Sequence, residues 1–146
     1  MVKSVLDTFQ TGHIQQTVDY DALTHICLAF CNPDANGNLS YGISDSATNA
    51  IVNKAHSNGV KVMASLGGAG YGTYYDTLTA SDKVEAFCDK IISFAKKYNL
   101  DGIDIDWESV SESVKVNATG MNQLMKDLRE EMTLRQDAGG TPYFLS

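Results

Sequence analysis

The sequence predicts an α/β fold in which helices cover a parallel sheet. Four short apolar runs have the length of buried strands, and three segments between them repeat apolar residues at helical spacing. Parallel neighbours need a crossover connection, which a helix supplies. Because an amphipathic helix hides only one stripe, the helices must lie outside the sheet. Two architectures satisfy these observations, an open doubly wound sheet or part of a closed barrel.

The predicted strands form a regular series along the chain. Their first residues lie 36 to 42 residues apart, and the last run can begin a further strand. The four runs are Thr24–Phe30, Val60–Leu66, Leu100–Ile105 and Pro142–Leu145.

Three amphipathic helices are predicted between these strands, at Ser44–His56, Asp82–Tyr98 and Ala118–Leu134. The second has the clearest apolar stripe, and Thr79 or Ser81 can cap its start. In the first helix we expect four residues to share the inward face: Ala47, Ala50, Ile51 and Ala55.

Composition narrows the class of protein. The 146 residues carry a net charge of −7 and are 43% hydrophobic, which is typical of one soluble globular domain. The acidic balance argues against nucleic acid or an anionic membrane as the main partner, and no apolar run is long enough to span a bilayer. Three cysteines do not make a disulfide framework, so we expect them to be buried apolar residues.

The N-terminus has no signal-peptide pattern, because Asp7 interrupts the apolar stretch after Lys3. Either the protein stays inside the cell or a leader has been removed. Localisation is therefore left open, with secretion expected for the full-length protein.

An acidic strand is the most informative feature. In the run DGIDIDWE, residues 101–108, strand alternation places Asp104, Asp106 and Glu108 on one face. The apolar residues between them point toward the helices. Neighbouring carboxyls whose pKa values are pushed apart are typical of acid–base chemistry, and Glu108 lies at the end of the strand where parallel folds place active sites. Asp101 is off this register, which indicates a structural role.

Two other interpretations of these carboxyls exist. An acidic strand end can simply cap a helix or face solvent, but three carboxyls in register make that reading weak. Asp104 and Asp106 could also bind Mg²⁺. No nearby His or further Asp completes a coordination shell in this segment, so we expect neither a metal ion nor a cofactor.

Three motifs in this order resemble the glycoside hydrolase family 18, the chitinase family. The run DGIDIDWE resembles its Asp-x-x-Asp-x-Asp-x-Glu signature, and Ser65-Leu66-Gly67-Gly68 resembles its Ser-x-Gly-Gly motif. The strand Thr24–Phe30, followed by Cys31-Asn32-Pro33, is similar to the family's second strand. The resemblance covers roughly residues 20 to 130.

The resemblance implies a (β/α)8 TIM-type barrel, of which about the first four strand–helix units are present. It also implies a retaining mechanism in which the substrate supplies the nucleophile. Glu108 would be the general acid and later the base, and Asp106 would orient the sugar's N-acetyl group. Asp104 would share a proton with Asp106 and lie within hydrogen-bonding reach of Ser65. Further substrate-binding or supporting residues would be Gly67, Gly68, Phe30 and Asp101.

The chain departs from the family pattern in two places. Ser109-Val110 replaces the aromatic residue and proline that often follow the acidic strand. The first strand, within Val2–Phe9, lacks the family's usual Gly-Tyr pair. The family also takes a tyrosine from its sixth strand and a tryptophan from its eighth, and both lie beyond this chain. We therefore interpret residues 1–146 as the N-terminal part of an incomplete barrel, inactive alone and prone to self-association.

Three functions follow from the resemblance. The first is hydrolysis of β-1,4-linked N-acetylglucosamine in chitin or chito-oligosaccharides. The second is endo-cleavage of the N-acetylglucosamine core of N-glycans, and the third is sugar binding without catalysis. The partner in each case is a polysaccharide or oligosaccharide that contains N-acetylglucosamine.

The glycine-rich stretch 67–72 matches no phosphate-binding motif. We expect it to form a loop at the cleft rim, where Tyr71, Tyr74 and Tyr75 either offer stacking surface for sugar rings or pack within the protein.

Overall fold

A computed structural model describes residues 4–7, 18–70, 72–108, 117–137 and 143–146 of the chain. The strands are β1 (Ser4–Asp7), β2 (His25–Pro33), β3 (Leu39–Ser40), β4 (Lys61–Gly67), β5 (Gly102–Asp106) and β6 (Phe144–Leu145). The helices are α1 (Asp45–Ser57), α2 (Gly72–Leu78), α3 (Val84–Lys97) and α4 (Ala118–Asp137), with a 3₁₀ turn at Tyr20–Ala22. No helix in these ranges is both long and apolar enough to cross a membrane.

The sheet confirms the predicted parallel α/β arrangement. Five strands run parallel in the order β1-β2-β4-β5-β6, and the short β3 pairs antiparallel with the end of β2. Each parallel step from β2 onward crosses over through at least one helix, as parallel pairing requires. In the described residues β1 and β6 are the two edges, so the barrel is not closed.

The four strands predicted from apolar runs are all present, with ends shifted by at most three residues. The hairpin strand β3 and the short helix α2 were not predicted. Both are too short to show a periodicity that sequence patterns can detect. The loop before β3 is held by Asp34, whose carboxylate accepts the Asn36 and Asn38 amides.

The three long helices lie where the periodicity predicts them. Ser44 caps α1 by accepting a hydrogen bond from the Ala47 amide at 3.2 Å. The buried face of α1 differs from the prediction, since Ala50 is exposed and Val52 is buried. The capping prediction for α3 is wrong, because the Thr79 hydroxyl donates to the Tyr75 carbonyl instead.

One hydrophobic core lies between the sheet and the helices. On β4 the residues facing this core are Val62, Ala64 and Leu66, while Ser65 lies on the opposite face. Helix α3 contributes Phe87 and other large buried side chains to the same core. The opposite face of the sheet is therefore the one that a closed barrel would turn inward, and it holds the polar residues described next.

Candidate active site

The acidic strand β5 has the alternation that its sequence predicts. Ile103, Ile105 and the following Trp107 are buried in the core. Asp104 and Asp106 are half-buried on the other face, and Glu108 is exposed just beyond the strand's end. The carboxyls therefore lie along the inner face of the sheet, and the last one opens to solvent at its C-terminal edge.

Asp104 is held by a serine on each neighbouring strand. The Ser65 hydroxyl of β4 donates to Asp104 Oδ2 at 2.7 Å, as predicted. The Ser146 hydroxyl donates to Asp104 Oδ1, also at 2.7 Å. In the described part of the chain no hydrogen bond joins Asp104 to Asp106, so proton sharing between these two carboxyls stays a prediction.

Gly67 lets two strand ends approach closely. Its φ of +125° is one that L side chains rarely adopt, and a Cβ there would collide with the Asp106 carbonyl. The next residue, Gly68, donates its amide to the same carbonyl at 2.8 Å. The Ser-x-Gly-Gly turn is thereby fixed against the backbone of Asp106, next to its carboxyl group.

The end of β2 completes this corner of the site. The Phe30 ring covers Gly68, where an added Cβ would lie 2.9 Å from a ring carbon. Asn32 Oδ1 accepts the Gly67 amide at 3.1 Å, which ties β2 to the turn after β4. No role for Asn32 was predicted from the sequence. The only feature that could have indicated one is its position as a polar side chain at the end of a strand.

Of the two alternatives for Tyr75, stacking surface or packing, the structure shows packing. It is fully buried in α2 and stacks on Trp107, with ring centroids 5.2 Å apart and an interplanar angle of 27°. Burial, and then the charges of Cys31 and Asp106, raise the pKa of Tyr75 far above its ordinary value. Tyr74 is 46% exposed and can still contact a ligand, whereas Tyr71 lies outside the described residues.

The cysteines are buried and free, as predicted. Cys27 has a pKa that depends on Asp104, a residue of the candidate site. Burial, followed by the negative charge of Asp104, raises its pKa to about 11. The thiol is protonated at neutral pH and cannot serve as a nucleophile there. Within the described ranges, no group of three His, Cys, Asp or Glu side chains is placed to hold a metal ion.

Asp101 lies at the opposite end of the sheet from Glu108. Its Oδ2 is 2.7 Å from His56 Nε2 and accepts the Val62 amide at 2.8 Å, and its Oδ1 accepts from Lys61 Nζ at 2.8 Å. Burial alone would raise the pKa of this carboxyl. The hydrogen bonds from Lys61, Val62 and His56 outweigh that effect and hold its pKa below the ordinary value.

Asp101→Asn is expected to lower the free energy of unfolding at pH 7 by about 2 kcal/mol or more, because hydrogen bonds to a charged group are lost. A carboxyl with a depressed pKa stabilises the fold above its unfolded pKa, near 3.8. The difference in the free energy of unfolding between the variant and the wild type should therefore become smaller as the pH falls below about 4. Urea unfolding at pH 7, 5 and 3 measures this. Asp89→Asn is the control, since Asp89 is exposed on α3. If this difference were as large at pH 3 as at pH 7, the prediction would be wrong.

The comparisons with known proteins agree with this geometry. The family model for glycosyl hydrolases family 18 matches residues 6–146. A chitinase-like effector from Moniliophthora roreri is 33% identical over 131 residues, which are 88% of this chain and 28% of the relative. Among solved structures, a chitinase from Rhizomucor miehei superposes with a TM-score of 0.75 at 28% identity, covering 87% of this chain and 42% of that one.

A class V chitinase from Nicotiana tobaccum, solved in complex with NAG4, gives a TM-score of 0.80. It covers 97% of this chain and 42% of its own, and at 19% identity it shows the shared fold. The chain thus spans about a third of the length of the curated relatives first matched, 28% and 31%. With its acidic strand, its Ser-x-Gly-Gly turn and a match over nearly its whole length, the chain belongs to the glycosyl hydrolases family 18.

Proposed function

We propose that the protein to which this chain belongs hydrolyses β-1,4-linked N-acetylglucosamine in chitin or chito-oligosaccharides. The observation that carries the proposal is the inner face of β5, where Asp104, Asp106 and the adjacent Glu108 line the C-terminal edge of a parallel sheet. Family membership supports a glycosidase that acts on chitin. The chitinase complex with NAG4 supports an N-acetylglucosamine oligosaccharide as the ligand.

Glu108 has the exposure that a general acid needs. Its side chain is exposed beyond the strand end, so it can reach a glycosidic oxygen. In the proposed first step Glu108 donates its proton to that oxygen while the bond to the anomeric carbon breaks. The substrate's own N-acetyl carbonyl oxygen forms the new bond to the anomeric carbon, which gives an oxazolinium ion. Glu108, now ionised, then takes a proton from water as water attacks that carbon. The bond between the anomeric carbon and the acetyl oxygen breaks, the N-acetyl group is restored, and the configuration is retained.

Asp106 is suited to hold the N-acetyl group during this step. Its carboxylate is half-buried, and among the described residues it forms no side-chain hydrogen bond, so it is available to accept the amide N–H of a sugar. Its negative charge would also stabilise the positive oxazolinium ion. Gly67 and Gly68 fix the backbone of Asp106 and leave no side chain in the space beside it.

We also propose that residues 1–146 are the N-terminal part of a barrel domain. The five parallel strands leave β1 and β6 as edges among the described residues, and the curated relatives are about three times as long. Unpaired edges favour self-association. The 146-residue chain alone is expected to associate and to show no hydrolysis of chito-oligosaccharides, whereas the full-length protein hydrolyses them. Light scattering measures the association, and chromatography of the products measures the hydrolysis. A monomeric 146-residue chain that hydrolyses chito-oligosaccharides would contradict the proposal.

Sugar binding without hydrolysis is the second candidate. It is favoured by the name of the 33% identical relative, a chitinase-like effector, rather than a chitinase. The presence of Glu108 supports catalysis instead. A full-length protein that binds chito-oligosaccharides without releasing products would establish this candidate, and one that cleaves only N-glycan cores would establish the endo-β-N-acetylglucosaminidase alternative.

A further inference from the structure

A row of polar side chains crosses three neighbouring strands at the position of Asp104. Strand β4 pairs with β5 so that Ser65 lies opposite Asp104. Strand β6 pairs with β5 so that Leu145 lies opposite Ile103, which brings Ser146 level with Asp104. The backbone bonds from Ser146 N to Ile103 O, 3.1 Å, and from Ile105 N to Ser146 O, 2.9 Å, fix that level.

The hydrogen bonds of this row leave Asp104 no free orientation. A serine hydroxyl has one proton to donate, and both Ser65 and Ser146 give theirs to this carboxylate. The two bonds go to different oxygens of the Asp104 carboxyl group, and each is 2.7 Å long. Asp104 can turn toward Asp106 only by breaking one of them.

We propose that Ser146 is a positioning residue of the active site, which with Ser65 clamps the Asp104 carboxylate from both sides. Held in this way, Asp104 keeps one orientation on the inner face. The kinetic part of this inference rests on the proposed function. Ser146 does not touch the substrate in this account, because it acts through Asp104.

The kinetic test compares Ser146→Ala with Ser146→Thr in the full-length protein on a chito-oligosaccharide. The alanine variant loses one hydrogen bond to a charged group, so kcat is expected to fall about tenfold. KM should stay within about twofold, because no substrate contact is removed. Threonine keeps the hydroxyl and suits a strand, so its kcat should return to within about twofold of wild type. An unchanged kcat in the alanine variant, or equal losses in both variants, overturns the proposal.

Phe144→Leu is the matched control. Phe144 lies on the same strand two residues earlier, is 46% exposed, and packs edge-on against the His25 ring at 4.9 Å. Among the described residues, the side-chain hydrogen bonds of Asp104 come from Ser65 and Ser146 and not from this residue. This variant should lower the melting temperature slightly and leave kcat unchanged. A loss of kcat equal to that of Ser146→Ala would show that strand stability, not the clamp, controls turnover.

A second measurement decides the proposal even if the wild-type protein proves inactive. Crystal structures of the wild type and of Ser146→Ala show the orientation of Asp104 directly. The wild type should hold one orientation with both hydroxyls bound, and the alanine variant should show the carboxylate rotated or in two orientations. A single unchanged orientation in the alanine variant overturns the clamp. Absence of hydrolysis by the wild type would refute only the proposed function.

Discussion

If Glu108 is the proposed general acid, Glu108→Gln in the full-length protein is expected to lower turnover of chito-oligosaccharides by about 10²–10⁴-fold. Glutamine matches glutamate in size but has no acidic proton to give the leaving oxygen. Binding of the oligosaccharide should be retained, since the exposed side chain changes little in shape. Steady-state kinetics and calorimetric binding measure the two effects separately.

The leaving group provides a sharper form of this test. An aryl glycoside whose leaving group departs as an anion needs no proton, so cleavage of its bond should suffer much less from Glu108→Gln. The control is Glu130→Gln, the same chemical change on a 64% exposed side chain of α4. That control should leave kcat unchanged. Turnover of the oligosaccharide at the wild-type rate in Glu108→Gln would show that Glu108 is not the acid.

Gly67→Ala has the largest effect expected on stability, a loss of about 3 kcal/mol or more. A non-glycine residue at φ +125° costs about 1–3 kcal/mol. The new Cβ also collides with the Asp106 carbonyl, and such overpacking adds about 1–3 kcal/mol. Because that carbonyl belongs to β5, relief of the clash must move β4 and β5 apart. Urea unfolding monitored by Trp107 fluorescence measures the loss.

Gly70→Ala is the matched control for that prediction. Gly70 lies three residues later with φ +87°, but a Cβ there meets nothing within 4 Å. It therefore carries the conformational cost without the collision. If Gly67→Ala and Gly70→Ala lost the same free energy of unfolding, the close approach between Gly67 and Asp106 would not be important.

The local part of this site could be predicted from the sequence. Strand alternation is a property of consecutive residues, so the shared face of Asp104, Asp106 and Glu108 follows directly from their spacing. The same alternation places Ser65 on the inner face of β4. The motifs then indicated the family, and the family indicated a barrel. Periodicity alone could not decide between a barrel and an open sheet.

The contacts between distant segments could not be predicted in the same way. Ser146 meets Asp104 because of the register between β5 and β6, which pairs Ile103 with Leu145. Asp101 meets His56 and Lys61 across 45 and 40 residues for the same reason. A one-residue change of register would reverse each face, and no pattern within a single strand fixes it.

Tyr75 shows how tertiary packing overrides a local interpretation. The surrounding glycines and tyrosines indicated an exposed loop, but α2 is a seven-residue helix that turns Tyr75 into the core. Its partner there, Trp107, comes from the end of the acidic strand. An aromatic ring buries a large apolar area. The pairing of Tyr75 with Trp107 therefore stabilises a short helix that would be marginal by itself.

The anomeric form of the first product distinguishes the substrate-assisted mechanism from inversion. Proton NMR of the full-length protein acting on a chito-oligosaccharide records that form before mutarotation. The substrate-assisted mechanism, with Glu108 as acid and Asp106 beside the N-acetyl group, predicts that the β-anomer forms first, because configuration is retained. Initial release of the α-anomer would contradict it, as would rapid cleavage of a fully deacetylated substrate that has no acetyl oxygen to attack.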